Sequence, residues 1–497
     1  MLGALDGCKR CGLRAGRRVA ALGRDKKFRC TQPGEQREHD ERRVKRTAKG
    51  GGVIVHGPKL ARVVPHGKPD IAGQTGKVLA RTREFPTRRP VTSIVPTRLT
   101  GGPDDHAQLL YFTTPSVTRD GRTLVAVHER DGHPNLWAHD LVTDAARQLT
   151  NQRDGTLKSY VYFRGNPRRG FGKASVNLDP VSGCVYYVQG DEIRCVDLAG
   201  RHRVLARLPA DQVTAFTHVS ADGRRLCVPT TAARALEDNL PPVGATGENH
   251  VGGRRNEIIS DKPAYDIDER VRRERLNSWL RVYDTATGAV LLEERVPEAW
   301  ITHVQFSPVN PDWILYNHEW PSDCGSRRLW LWDGRTHRRL RTEGPGRSRA
   351  DWACHEMWTA DGAWIIYHGK FANGTAFIGR VSPAGGDNIE IALPVRYHRY
   401  GHFTAGTRHS AWLVSDGYWH PDGEAEDDKW GGEWITRLVV DWPTQRIAWT
   451  PLCRHQSAWD CQDSHPHPVF GPGDDFVYFT SNAGGGRSVW RVPVPPA

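Results

Sequence analysis

No apolar run in the 497-residue chain approaches the roughly 18 residues that a membrane-spanning helix requires. Near its start, Val19-Ala20-Ala21-Leu22 is too short to be the apolar centre of a secretory signal, so a cytoplasmic location is the expectation. Cysteine is sparse, 10 in all. Cys184, Cys195, Cys227, Cys324, Cys354, Cys453 and Cys461 are scattered, several in strand-like apolar runs where a free thiol acts as a small hydrophobe. Nothing in that pattern demands an oxidising compartment. Cys8-x-x-Cys11 with Cys30 lacks the fourth ligand of a zinc knuckle.

Charge is plentiful but uneven. Residues 1–100 carry 24 Lys/Arg against 8 Asp/Glu, and the remaining 397 carry 45 against 49. The basic character belongs to the head, which is rich in Arg, Lys and Gly and shows no apolar periodicity. Residues 1–85 therefore read as a disordered basic extension, and 86–497 as the folded domain. A basic arm could meet nucleic acid or an anionic surface. The folded domain itself is slightly acidic, so no nucleic-acid partner is expected for it, and no membrane partner.

Turn signals recur along the folded part. They begin at Thr118 (Thr-Arg-Asp-Gly), Asp179 (Asp-Pro-Val-Ser-Gly), Ser220 (Ser-Ala-Asp-Gly), Ser307 (Ser-Pro-Val-Asn-Pro-Asp), Thr359 (Thr-Ala-Asp-Gly), Thr404 (Thr-Ala-Gly-Thr) and Gly471 (Gly-Pro-Gly-Asp-Asp). Each is followed by a β-branched or aromatic run such as Leu124–Val127, Val185–Val188 or Phe476–Phe479. Asp, Gly and Pro supply the turn and the runs supply strands. Most units carry a second strand, as in Leu329-Trp330-Leu331-Trp332-Asp333. Seven such units predict an all-β protein, a seven-bladed β-propeller. The tryptophans fall mostly in these runs and read as packing between blades. No room remains for the hydrolase domain of a propeller peptidase.

Four residues before the turn, three of the seven units place a histidine: His303, His355 and His467. The others have Thr114, Ser175, Phe216 and Tyr400. Equivalent positions on different blades form a ring, so these histidines converge although 164 residues separate the first from the last. His465 stands beside His467 in Gln462-x-x-His465-Pro466-His467-Pro468. Each proline biases the residue before it toward extended geometry, and alternate residues of an extended segment share a face. Imidazole is the commonest metal ligand, so the cluster reads as a metal site. His218, two residues before Ser220, is off register and reads as structural. His318 with Glu319 is either a pair that orients a ligand or a pair at the rim. An insertion, residues 233–277, has a polar part and a short helix near Asp266–Leu276. It enters blade IV ahead of His303 and could cover a ligand there.

From about Thr97 onward the chain resembles the oligogalacturonate lyases, a family of seven-bladed polysaccharide lyases. The motifs that carry the resemblance are Cys354-His355-Glu356-Met357-Trp358, His318-Glu319-x-Pro321 with Arg328-Leu329-Trp330, His455-x-x-x-Trp459-Asp460, and the Gln462-to-Pro468 segment. The resemblance implies a divalent cation, in the family manganese (Mn²⁺), held by Gln462, His465, His467 and His355. It implies His303 as the proton-abstracting base and a small oligouronide as substrate. Where the family has an arginine for the substrate carboxylate, this chain has Trp279. Arg281 and Arg275 are the candidate replacements, with His318 a further substrate contact.

The implied reaction is β-elimination from a 4-linked uronate, which leaves a 4,5-unsaturated product. The C5 proton lies next to a carboxylate and is very weakly acidic. A cation on that carboxylate offsets the developing charge, and a neutral histidine removes the proton. Manganese, zinc, iron and nickel all suit such a nitrogen and oxygen set. Other uronate glycans remain possible substrates, and a non-catalytic binding propeller of the TolB type is the rival class. A metallohydrolase would want a carboxylate base, and none stands in the register.

Overall fold

A computed structural model of the chain describes residues 93–101, 106–153, 157–158, 170–214, 216–236, 266–393, 401–417, 434–458 and 462–496. The expected basic extension over 1–85 and most of the insertion, up to residue 265, lie outside the described residues. Seven mainly antiparallel sheets follow one another along the chain. Inner strands of successive sheets pack side by side, and the first sheet touches the last. This is the seven-bladed propeller.

Local chemistry explains why the turns repeat. Thr118, Ser220 and Thr359 each donate a hydroxyl hydrogen bond of 2.6 Å to the aspartate two residues on. The same hydroxyls accept from the backbone N–H five residues on, at 3.0–3.1 Å. The glycine after each aspartate has φ between 66° and 72°, a conformation that costs other residues energy. The short motif therefore closes a hairpin wherever it occurs.

Apolar residues fill the spaces between blades. Partly buried Trp313 of blade IV stacks on buried Trp358 of blade V at 6.4 Å, and a fully buried apolar side chain contributes about 1.5–3 kcal/mol. Blade VII comprises Val469–Phe470, Phe476–Ser481 and Ser488–Pro493, and its outer strand is Thr97–Arg98 from the start of the domain. Thr97 pairs with Arg491 and Arg98 with Trp490. The described part of the insertion is the helix Ile267–Arg273, capped by Asp266, whose carboxylate accepts from the Glu269 N–H. Its Asp268 holds Arg327 of blade IV at 2.6 Å. Among the described residues no helix is long and apolar enough to cross a membrane.

Candidate metal centre

The ring position is a real structural register. The first turn residue donates its N–H to the carbonyl of the next strand at Ser307 (to Trp313), Thr359 (to Trp364) and Gly471 (to Phe476). In blade VI the residue that does so is Gly406, to Trp412. The expectation that this turn begins at Thr404 is two residues early, because Thr404 and Ala405 still belong to the strand Phe403–Ala405. Four residues before Gly406 stands His402, where Tyr400 was expected. Four consecutive blades, IV to VII, therefore place His303, His355, His402 and His467 at one level.

These positions lie where the inner strand is broken. His303 and His402 immediately precede the inner-strand segments that begin at Val304 and Phe403, and His467 stands two residues before the one that begins at Val469. In blade V the register slips between Cys354 and Met357, and this bulge contains His355 and Glu356. Bulges re-aim side chains and gather near functional sites. His355 (φ 52°) and His467 (φ 44°) adopt the left-handed region that residues other than glycine rarely enter. His467 is thus not extended as its neighbouring prolines suggested. Its ring nevertheless shares one space with His465, at 5.6 Å between centroids.

Candidate ligand nitrogens of His402, His465 and His467 all lie within 4.8 Å of one another. The Nε2 atoms of His402 and His467 are 3.1 Å apart, close to the separation of two neighbouring ligands at roughly 2.1 Å from one ion. Asp416 prepares the His402 ring. Its carboxylate accepts from His402 Nδ1 at 3.0 Å and from the backbone N–H groups of His402 at 2.7 Å and His467 at 3.2 Å. A carboxylate on Nδ1 fixes the tautomer that offers Nε2 to a metal. Burial drives His465 and His467 well below their ordinary range, with His402 a lesser cause, so both are neutral and ligand-competent at pH 7. The donor set fits a divalent cation that accepts imidazole nitrogen.

His355 lies one ring further, 4.8 Å from His402 between centroids. Its Nδ1 is 2.7 Å from Nε2 of His368, a buried histidine of the next strand. His303 follows at 6.4 Å from His355. Glu356 contacts His303 Nδ1 at 3.0 Å, and Tyr111 Oη lies 3.3 Å from its Nε2. Arg328, fully buried, donates to Glu356 at 3.0 Å and faces Glu319 at 3.5 Å. Burial alone would raise the Glu356 carboxyl, but Arg328 and His303 outweigh it and hold it at about 2. A negative Glu356 makes Nδ1 of His303 the protonated nitrogen, so a proton taken from elsewhere would enter at Nε2.

Arg281, Arg275 and His318 stand apart. Arg281 is buried and bound to Glu293 at 2.9 Å, to Gln212 at 2.9 Å and to Thr230 at 3.3 Å. Arg275 is exposed after the helix. His318 stacks on Trp330 at 4.8 Å, and burial pushes it down to about 3, so it is uncharged at neutral pH. Gln462 opens a short turn, Gln462–Ser464, and its side chain lies outside the described residues. His218 accepts a hydrogen bond from the Phe306 N–H, in keeping with a structural role. Sequence reasoning missed His402, His368 and Asp416. Only His402 had a legible signal, the register, and it needed the turn at Gly406.

One aromatic ring floors the cluster. Phe112 lies 5.1 Å from His355, 5.6 Å from both His402 and His467, and 6.5 Å from His303, between centroids. It also lines a cavity of about 450 Å³ whose other walls include the hairpin-turn residues Ser220, Thr359 and Gly406.

The fold and this centre define a propeller with a buried histidine cluster suited to a cation. Residues 276–497 match the family model described as oligogalacturonate lyase. The oligogalacturonate lyase of Dickeya dadantii is 25% identical over 420 residues, 82% of this chain and 94% of that protein. The oligogalacturonide lyase of Pectobacterium atrosepticum is 27% identical over 414 residues, 79% of this chain and 92% of that protein. Among solved structures, an oligogalacturonate lyase from Vibrio parahaemolyticus superposes with a TM-score of 0.61 at 22% identity, covering 81% of this chain and 94% of that one. An oligogalacturonate lyase in complex with manganese gives 0.60 at 22%, covering 83% and 97%. At that identity the two structures speak for the fold. The chain is similar to oligogalacturonate lyases, as its motifs implied, and the relatives named here are oligogalacturonate and oligogalacturonide lyases.

Proposed function

We propose that the chain is a metal-dependent lyase that cleaves short oligogalacturonides by β-elimination, giving 4,5-unsaturated uronate products. The observation that carries this reading is the convergence of His402, His465 and His467, with Asp416 behind the first. These three would hold a divalent cation, and Gln462 is a fourth candidate by its place in the motif. A manganese complex of one structural relative supports manganese as the ion. When bound, the cation supplies Lewis acidity at the uronate carboxylate.

His355, a ligand candidate from the sequence, lies 4.8 Å from His402 and 6.4 Å from His303 between ring centroids. We assign proton abstraction to the pair His355 and His303. His355 is nearer the ligand rings and is held at Nδ1 by His368. His303 is oriented by Glu356 and keeps Nε2 as its accepting nitrogen. Either imidazole takes the C5 proton; the C–H electron pair forms the C4=C5 bond as the C4–O bond breaks, and the departing oxygen takes a proton from water. Arg281 and His318 have no direct part in this reading, because Arg281 is committed to Glu293 and His318 carries no charge.

The test is incubation of the manganese-loaded protein with trigalacturonate while following the ultraviolet absorbance of the conjugated unsaturated uronate. A rise that is lost on chelation and restored by metal is the expected result. No rise with any uronate oligomer tried would refute lyase activity.

A further inference from the structure

An oligouronide carries a carboxylate on every sugar, and a single cation at the histidine cluster answers one of them. Arg281, Arg327, Arg328 and Arg341 are already held by Glu293, Asp268, Glu356 and Asp351. Lys370 is not. It closes the strand Ile365–Lys370 of blade V and is half-buried, and its ammonium has no ion-pair or hydrogen-bond partner among the described residues. The register places it. Trp352 pairs with Lys370, Ala353 with Gly369 and Cys354 with His368, all before the bulge at His355 and Glu356. Alternate residues of a strand share a face, so Lys370 stands on the face of His368, about 6–7 Å along the strand. His368 is the residue whose Nε2 meets Nδ1 of His355 at 2.7 Å.

We propose that Lys370, with the Trp352 ring beside it, forms a uronate subsite next to the histidine cluster, in which the ammonium receives a carboxylate of the oligouronide other than the one at the cation. The assignment rests on the lyase reading and deepens it. Directly opposed residues on one face have Cβ atoms about 4.5–5.5 Å apart, so Trp352 and Lys370 flank one space. The Trp352 ring also meets His368 edge-to-face at 5.8 Å, which ties the pair to the cluster by contact. A further neighbour is Trp320, stacked 5.7 Å away and within 10° of parallel. Both tryptophans are half-buried. An indole supplies an apolar wall for the C–H face of a sugar, and the ammonium supplies N–H donors for a carboxylate. A half-buried ammonium keeps its charge without the desolvation cost of a fully buried one.

The experiment titrates trigalacturonate into manganese-loaded protein by calorimetry, with metal content and the ultraviolet product assay alongside. Lys370→Met removes the charge and keeps an apolar stem, and Lys370→Arg keeps the charge. The expected result is that Lys370→Met loses on the order of 10- to 100-fold in affinity, the loss of a charged hydrogen bond. Lys370→Arg stays near the wild type, and both variants retain metal. If Lys370→Met binds within about twofold of the wild type, Lys370 is only a solvated lysine at the rim. If Lys370→Arg loses as much as Lys370→Met, or if metal is lost with affinity, the residue is structural. In either case a wild type that forms unsaturated uronate keeps the lyase reading. If the wild type neither binds trigalacturonate nor forms product, the lyase reading itself falls, and this assignment with it.

Discussion

Asp416 offers the sharpest test of the centre, because it touches a candidate ligand without being one. Its carboxylate receives three N–H groups: Nδ1 of His402 and the backbone N–H groups of His402 and His467. Asp416→Asn keeps the size but leaves only one accepting oxygen. If that oxygen stays on the His402 backbone N–H, the amide N–H₂ faces both His402 Nδ1 and the His467 backbone N–H. The imidazole then takes the other tautomer, with the proton on Nε2, and Nε2 can no longer donate a lone pair to a cation. Loss of such a carboxylate partner typically weakens metal binding 10- to 100-fold, or about 1.4–2.7 kcal/mol. The assay is calorimetric titration of Mn²⁺ into chelator-stripped protein, on samples shown to be folded by circular dichroism. Asp474→Asn is the control. Asp474 is likewise buried and accepts from the backbone of Thr407, Arg408 and His409, yet it serves a turn between blades VI and VII. Both variants should lose about 1–3 kcal/mol of stability, and only Asp416→Asn should lose metal. A folded Asp416→Asn protein that binds Mn²⁺ within twofold of the wild type would refute the assignment of His402.

Other outcomes follow from the same geometry. His402→Ala should abolish metal binding as measured by elemental analysis. His355→Ala and His303→Ala should lower turnover by about 10²- to 10⁴-fold if the residue is the base, with metal near one ion per chain; metal loss in His355→Ala would return that residue to the ligand set. His318 gives a pH signature. Its folded value, about 3, lies below the roughly 6.5 of an unfolded histidine, so below pH 6.5 the unfolded chain binds the extra proton. The stability it leaves in place is complete above that pH and falls as pH drops toward 3. The loss between pH 6.5 and 5 is on the order of 2 kcal/mol. His318→Phe should flatten the urea-unfolding profile by that amount over the same range, and an unchanged slope would contradict it. Arg281→Met should cost stability through the unpaired Glu293 and Gln212 while leaving affinity for trigalacturonate unaltered; a selective loss of that affinity would restore Arg281 as a substrate contact.

Much of the architecture was legible because a propeller writes its repeat in local chemistry. The Ser/Thr-x-Asp-Gly turn makes the same hydrogen bonds in three blades, so counting turns counts blades. The ring of histidines was legible for the same reason, since position relative to the turn fixes height in the ring. It failed where a turn lacks that chemistry: Thr-Ala-Gly-Thr has no aspartate to mark its start, and a two-residue slip hid His402 behind Tyr400. Asp416 and His368 carry no such signal. They meet the cluster through pairing across strands, which no spacing in the chain encodes. The bulge at His355–Glu356 is similarly silent. In a regular strand those two side chains would point to opposite faces, yet one lies beside His402 and the other holds His303.

The outer strand of the last blade comes from the beginning of the domain, and that has a bearing on how the protein matures. The nitrogens that would chelate an ion are carried by blades VI and VII, the last two blades in chain order. Their mutual placement depends on a seam that cannot be zipped until Ser488–Pro493 meets Thr97–Arg98. Tight uptake of manganese should therefore report a completed circle, and a chain shortened by its last ten residues should remain metal-poor however much β-structure it retains.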